Sequence, residues 1–286
     1  PAGITKSMGL GLIGFSQAFS RSRPDILVVL GDRFEMHAAA LAALPFKIPV
    51  AHIHGGEITL GAIDESLRHS MTKLSHLHFT STSDYARRVI QMGEEPWRVQ
   101  VSGALSLDNV KNVRILDHIE FAREFGIELP DKFLIVTYHP VTLEYEQVEW
   151  QIEELLSALE YSDIPVLFTM PNSDTGSQVI REKIVGFINS HDSAFAVETL
   201  GTQGYFSAMS HASVMIGNSS SGIVEAAPFN LPVVNIGTRQ QGRVRSENII
   251  DVGYDSEEIS SAIRLALSNG FRKKIEKAES VYGDGH

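Results

Sequence analysis

Val214-Met215-Ile216-Gly217-Asn218-Ser219-Ser220-Ser221-Gly222-Ile223-Val224-Glu225-Ala226 is the stretch on which the reading of this chain turns. Four apolar or small residues run into a Gly-Asn-Ser-Ser-Ser-Gly turn, and a short helical pattern follows. This is a strand, a tight turn and a helix start. Such a turn aims backbone N–H groups and hydroxyls at one point, and a helix N-terminus adds partial positive charge there, which suits a phosphate. Glu225, near the start of the helix, is placed to accept hydrogen bonds from ribose hydroxyls. The same residues also serve in ordinary βα loops, where Asn and Ser merely cap a helix.

Outward from this stretch the same rhythm recurs. In the second half, strands are expected at 133–137, 166–169, 195–197, 214–216 and 232–236. Helices are expected at 143–159, 177–189, around 205–210 and at 256–269. The first half opens on a helix at 4–19. Strands then read at 25–30, 48–53, 77–80 and 99–101, with helices at 33–44, 64–74 and 83–92. The apolar run at 25–30 reads as a buried parallel strand. Alternating strands and helices are the signature of βαβ units and a parallel sheet. Residues 106–130 are more polar and carry no strand pattern, and the boundary is placed there. The expectation is two doubly wound α/β domains, 1–111 and 112–286, with ligand bound between them.

Composition narrows the function. A chain of 286 residues, 43% hydrophobic, has room for two cores. It contains no cysteine, which excludes disulfides, zinc-thiolate sites and a thiol nucleophile. No apolar run approaches the ~20 residues of a membrane span, and no signal peptide is visible, so a cytoplasmic enzyme is expected, with no membrane partner. The formal net charge of −11 argues against nucleic acid as a partner. A phosphorylated small molecule needs only a few local cations. The first element is a helix with no strand before it, and the chain closes on Tyr282-Gly283-Asp284-Gly285-His286. Ordered parts are therefore expected to be missing at both ends.

Ligands in parallel α/β sheets bind outside the carboxyl ends of the strands. In the first half those ends carry Gly31-Asp32-Arg33 and His54-Gly55-Gly56-Glu57. In the second they carry Tyr138-His139-Pro140, Met170-Pro171-Asn172-Ser173-Asp174, Asn218 to Gly222, and Gly237-Thr238-Arg239. Six polar, ionisable or Gly-rich ends together point to a ligand cleft. Asp32 reads either as a helix cap or ion pair with Arg33, or as a carboxylate handling a proton, with Arg33 near a phosphate. Asp64 opens a helix, where it caps or faces the cleft. His139 is placed to contact a phosphate or act as an acid. Arg239 and Arg243 follow the last core strand expected in the second half and would answer a diphosphate. His52 and His54, and His76 and His78, alternate in sequence, but no set has the spacing of a known metal motif, so no metal is expected.

Six motifs occur in order: Gly31-Asp32-Arg33-Phe34-Glu35; His52-Ile53-His54-Gly55-Gly56-Glu57; Gly61-Ala62-Ile63-Asp64-Glu65-Ser66-Leu67-Arg68-His69; Pro171-Asn172-Ser173-Asp174; Gly217-Asn218-Ser219-Ser220; and Gly237-Thr238-Arg239-Gln240-Gln241-Gly242-Arg243. Together they closely resemble the hydrolysing UDP-N-acetylglucosamine 2-epimerases of sialic-acid biosynthesis, over nearly the whole chain. The resemblance implies two Rossmann-like doubly wound domains facing a central cleft, in the glycosyltransferase-B-like arrangement, with UDP held mainly by the C-terminal domain. It implies removal of the sugar C2 proton, anti elimination of UDP and addition of water, with no cofactor. It implies acid/base roles for Asp32 and Asp64, joined by His54 and Glu57. His139 falls near the diphosphate. Asn172, Ser219, Ser220, Glu225 and Arg239 fall on UDP-binding positions and Tyr205 on the uracil, and Arg33, Asp174, Asn218 and Arg243, which stand beside them at the strand ends, are counted with the UDP-sugar-binding residues. It also implies a homodimer through the N-terminal domain. His54 departs from the wider family, in which many members carry Glu there, so the base is His54 or is shared by Glu57 and Asp64. Relatives acting on UDP-2,4-diacetamido-trideoxy sugars carry similar motifs, and the sequence leaves both substrates open. A glycosyltransferase of the same fold and a UDP-sugar-binding module are the rival readings. The acidic cluster Asp32, Glu57 and Asp64 favours elimination chemistry.

Overall fold

The structure, a computed structural model, describes residues 2–58, 63–171 and 176–283. It divides into two units, Pro1–Leu105 and Ser106–His286.

In the first unit, α1 (Ala2–Arg21) leads into β1 (Leu27–Leu30), α2 (Phe34–Ala43), β2 (Val50–Ile53), α3 (Ile63–Leu74), β3 (Leu77–Thr80), α4 (Ser83–Gln91) and β4 (Val99–Val101). The strands lie in the order β1-β2-β3-β4 and pair in parallel throughout. α2 buries five alanines, Ala38, Ala39, Ala40, Ala42 and Ala43. These small side chains leave a shallow surface, and Gly11 of α1 comes so close that a Cβ there would meet the Ala38 Cβ at 3.2 Å. Phe19, Val29, Ile48, Val50 and Met71 fill the core beneath.

One expectation is corrected here. The 25–30 run reads as a fully buried strand, yet Val28 is 56% and Leu30 50% exposed. Val28 and Leu30 share one face of β1, opposite the buried Val29, and that face is uncovered among the described residues.

The second unit carries α5 (Ser106–Asn112), α6 (His118–Phe125), β5 (Leu134–Thr137), α7 (Val148–Glu160), β6 (Val166–Thr169), α8 (Ser177–Ser190), β7 (Ala194–Val197), α9 (Gly201–His211), β8 (Val214–Gly217), α10 (Ser220–Val224), β9 (Val233–Ile236), β10 (Ile249–Val252), α11 (Ser256–Leu267) and α12 (Asn269–Ile275). Its six strands are all parallel, in the order β10-β9-β8-β5-β6-β7. This is the Rossmann order, with its reversal between β5 and β8. The two-residue period of the strands sorts their side chains into two cores. Leu134, Val136, Val166, Phe168, Val214 and Ile216 go to one, with α7 and α11. Ile135, Leu167, Met215 and Val233 go to the other, with Phe121 of α6 and Phe206 and Met209 of α9. A sheet covered on both faces needs the continuous apolar strands that the sequence shows.

Some elements fall differently from their sequence reading. The division between units lies between 105 and 106, where the sequence placed it between 111 and 112. Residues 106–112 form α5, whose Leu107 is buried, and Val110 packs on the second unit's core. The polar stretch before 130 holds two helices. α6 is announced by a capping box between Asp117 and Glu120 and closed by Gly126 in the left-handed region. Helix α7 begins at Val148, because 142–147 is a 3-10 turn interrupted at Glu144. β10 is an additional strand at the sheet edge. Asp251 breaks its apolar pattern but points to partners, accepting from Asn235 at 2.6 Å and pairing with Arg245 at 3.0 Å. α11 stops at Leu267, where Ser268 accepts from the Phe271 amide and starts α12.

Candidate active site

The first unit gathers its ionisable residues just beyond β1 and β2. Gly31, at φ +74°, turns the chain out of β1 and delivers Asp32. His54 leaves β2 at φ 63°, a left-handed conformation rare for a residue with a Cβ, and its amide donates to the Phe79 carbonyl at 2.8 Å. Two residues on, Gly56 at φ +78° lies against α4, where a Cβ would come within 2.5 Å of the Tyr85 carbonyl oxygen. The turn therefore needs its glycine, and it brings Glu57 back beneath His54.

Glu57 Oε1 takes two hydrogen bonds, from His54 Nδ1 at 2.7 Å and from Ser81 Oγ at 2.8 Å. Its other oxygen lies 3.3 Å from Arg68 Nη1. Arg68 also donates from Nη1 to the His54 carbonyl at 2.9 Å, and from Nη2 to Asp32. The Glu57 and Arg68 side chains are only 5% and 4% exposed. A buried arginine thus joins two carboxylates and fixes the backbone of the histidine between them. With the carboxylate as acceptor, the neutral ring has its proton on Nδ1 and its lone pair on Nε2. The Leu105 amide lies 3.5 Å from Nε2. This is the arrangement in which a carboxylate orients an imidazole for proton transfer. Asp64, on the first turn of α3, has its carboxyl raised above the usual range by burial and then by the charge of nearby Asp32. The structure therefore brings Asp32, His54, Glu57 and Asp64 together.

Arg68 has no assigned role in the sequence reading. On an amphipathic helix an arginine reads as solvent-facing, and only the packing of α3 beside β2 reveals it. Arg33 is exposed, 3.6 Å from Glu35, with its guanidinium over the Phe34 ring. His52 is fully buried and donates from Nε2 to the Gly31 carbonyl at 2.8 Å, and burial pulls its pKa down to about 4. It is a neutral core residue that supports the Asp32 turn. Among the described residues, no three His, Cys, Asp or Glu side chains are grouped to hold a metal.

In the second unit the predicted residues converge on the strand reversal. Gly217 ends β8 at φ +133°, pressed so closely on β5 that a Cβ would overlap the Thr137 carbonyl. Asn218 is fully buried, and its side-chain amide grips the next loop on both sides. Oδ1 accepts from the His139 amide and Nδ2 donates to the His139 carbonyl, each at 2.8 Å. The Asn218 carbonyl in turn accepts from Arg239 at 3.0 Å and from Gln240 at 2.8 Å. The loops carrying His139, the serines and Arg239 are thereby tied together. α10 spans five residues, little more than one turn, so its dipole is small and side chains carry more of the site.

A chain of hydroxyls runs beside this junction. Thr169 and Thr137 lie 2.7 Å apart, Thr137 and Tyr205 3.2 Å, Tyr205 and Ser221 2.7 Å, and Ser221 and Ser219 2.7 Å. Ser219 Oγ also accepts from the Ser221 amide, while Ser220 is partly exposed. Tyr205, Thr169, Phe206 and Glu225 line a cavity of about 490 Å³, in the range of small-molecule sites. Burial raises the Glu225 carboxyl, opposed by a hydrogen bond from Ser106 and by the nearby charge of Arg243. Tyr205, Asn218, Ser219, Glu225, Arg239 and Arg243 thus belong to one region with the His139 loop. Asn172 and Asp174 lie outside the described residues.

No described helix is long and apolar enough to cross a membrane. A family model described as UDP-N-acetylglucosamine 2-epimerase matches residues 2–286. The chain is 39% identical over 282 residues to the UDP-N,N'-diacetylbacillosamine 2-epimerase (hydrolyzing) of Legionella pneumophila, covering 99% of this chain and 73% of that protein. It is 40% identical over 273 residues to the GDP/UDP-N,N'-diacetylbacillosamine 2-epimerase (hydrolyzing) of Campylobacter jejuni, covering 94% of this chain and 70% of that protein. The crystal structure of UDP-GlcNAc 2-epimerase from Neisseria meningitidis bound to UDP-GlcNAc matches with a TM-score of 0.84 at 19% identity, over 99% of this chain and 79% of that one. That likeness shows the fold, an α/β architecture of two Rossmann-like units.

Proposed function

This chain belongs to the UDP-N-acetylglucosamine 2-epimerase family, and from that premise we propose that it is a hydrolysing 2-epimerase of UDP-N,N'-diacetylbacillosamine. The two diacetylbacillosamine epimerases at 39% and 40% identity support this substrate over UDP-N-acetylglucosamine. The observation that carries the chemistry is the His54–Glu57 pair, closed at 2.7 Å and backed by Arg68.

In this reading His54 Nε2 takes the proton from C2, and Glu57 stabilises the imidazolium through Nδ1. The C2 electron pair forms a double bond to C1, the C1–O bond breaks, and UDP leaves with its electron pair. Water then adds across the double bond. Its oxygen bonds to C1 and gives up a proton to solvent, while C2 receives a proton on the opposite face from Asp64, whose carboxyl is raised above its usual range by burial and then by the charge of Asp32. His54 then releases the C2 proton to solvent and Asp64 takes one up. The products are UDP and the free 2,4-diacetamido-2,4,6-trideoxy sugar with the manno configuration at C2. The C2 proton is weakly acidic, so the step leans on leaving-group stabilisation. That role falls to Arg239, Arg243, His139 and the Ser219–Ser220 turn, with Tyr205 and Glu225 on the nucleoside. The homodimer and the cytoplasmic location belong to this reading. α1 exposes Leu10 and Ile13, which a second copy would cover; light scattering tests the dimer.

A proton NMR time course in D2O tests the chemistry. The expected result is free sugar deuterated at C2 together with UDP, faster from UDP-N,N'-diacetylbacillosamine than from UDP-N-acetylglucosamine. Faster turnover of the latter overturns the substrate assignment, and no deuterium at C2 overturns the elimination. His54→Ala should lower kcat by about 10²–10⁴-fold with KM little changed; wild-type kcat in that variant would remove His54 as the base.

A further inference from the structure

One acidic side chain of the second unit has a place that the chemistry above does not explain. Glu144 sits in the 3-10 turn Thr142–Gln147, beyond His139, at the same edge of the sheet as Arg239. A carboxylate beside a diphosphate subsite opposes an anionic ligand by like charge. Its presence there calls for a compensating role.

The hydrogen bonds of Glu144 indicate that role. Oε1 accepts from Thr238 Oγ1 at 2.5 Å, and Oε2 accepts from Tyr254 OH at 2.6 Å and from Gln151 Nε2 at 2.7 Å. Gln151 is fully buried on α7, and its own Oε1 accepts from Tyr138 OH at 3.3 Å. The Thr238 amide donates to Tyr254 OH at 3.3 Å. Gly237 lies so close beneath the Tyr254 ring that any Cβ would overlap it. The residues just before Arg239 are therefore held from both sides, by the Tyr254 ring and by the Glu144 carboxylate. Burial works against the charged form of Glu144, but the hydrogen bonds from Thr238, Tyr254 and Gln151 outweigh it and hold the carboxyl below its usual range. An ionised acceptor makes each of these bonds stronger than a neutral one would.

We propose that Glu144 is a positioning residue for nucleotide binding: through Thr238 and Tyr254 it fixes the loop that presents Arg239 to the diphosphate. Glu144 touches neither the substrate nor the reacting atoms in this assignment. It spans the chain segments that follow β5, β9 and β10, and so makes the Arg239 loop part of the rigid sheet edge. The proposal rests on the nucleotide-sugar reading of the second unit given above.

The test is UDP binding by calorimetry, with steady-state kinetics, for wild type, Glu144→Ala, Glu144→Gln and Thr238→Val. Glu144→Ala should raise the Kd for UDP and the KM for the nucleotide sugar about tenfold while kcat stays within about twofold. Glu144→Gln should fall between it and wild type. Thr238→Val, which leaves the carboxylate in place and removes only the loop's hydroxyl, should weaken UDP binding in the same direction. Hydrogen exchange should quicken at residues 237–243 and not in the strands. Wild-type UDP affinity in all three variants overturns the proposal while leaving the nucleotide reading intact. Loss of kcat without change in UDP affinity also overturns it. Failure of the wild type itself to bind UDP overturns the nucleotide reading, and the proposal with it.

Discussion

Arg68 shows how much a single side chain can decide. Its guanidinium faces Glu57 at 3.3 Å, bonds to Asp32, and fixes the His54 carbonyl, and the Arg68 and Glu57 side chains are themselves nearly closed to solvent. Arg68→Met would leave two carboxylates without their buried cation, so it should cost about 3–5 kcal/mol in urea unfolding and remove activity. A loss under about 1 kcal/mol would mean that water already reaches the pair. His52 makes a second prediction at this scale. In the unfolded chain it takes up a proton near pH 6.5, but in the fold only near pH 4. Between those values the unfolded state holds more protons, so stability falls as pH falls. The contribution is whole above pH 6.5, and about 3 kcal/mol of it is gone by pH 4. Urea midpoints followed down this range should drop in the wild type and drop less steeply in His52→Gln.

At the scale of elements, the site depends on where strands end. β8 closes against β5 through Gly217, and the next residue, Asn218, clasps the His139 backbone. Gly217→Ala would set a methyl group against the Thr137 carbonyl in a conformation few side chains adopt. It should cost at least about 2 kcal/mol and weaken UDP binding, because the serine turn must move with the strand. Asn218→Ala leaves the His139 amide and carbonyl without this partner, at about 1–3 kcal/mol for each buried group. If thermal unfolding of both variants matched the wild type, the clasp would not be part of the native structure in solution.

The second unit contains the whole Rossmann order, two cores and the tie between the His139, Ser219 and Arg239 loops. Expressed alone, residues 106–286 should fold cooperatively and bind UDP within about tenfold of the whole chain, without turnover; a molten fragment by near-UV circular dichroism would count against that autonomy. The sequence by itself determined the alternation of strands and helices, the polar ends of those strands and the family, because apolar runs and turn residues are local properties of the chain. Asp32, His54, Glu57, Asp64, His139 and Arg239 were legible for the same reason: each follows a strand or opens a helix, where the parallel topology gathers ligands. Only the tertiary structure decided the strand order, the exposed face of β1, the edge strand β10 and the helix at 106–112. It alone gave Arg68 and Glu144 their partners, which lie 36 and 94 residues away in Asp32 and Thr238. The physical reason is that a charged residue on a helix or turn carries no local sign of burial. Its role exists only once distant segments have packed and removed the water around it.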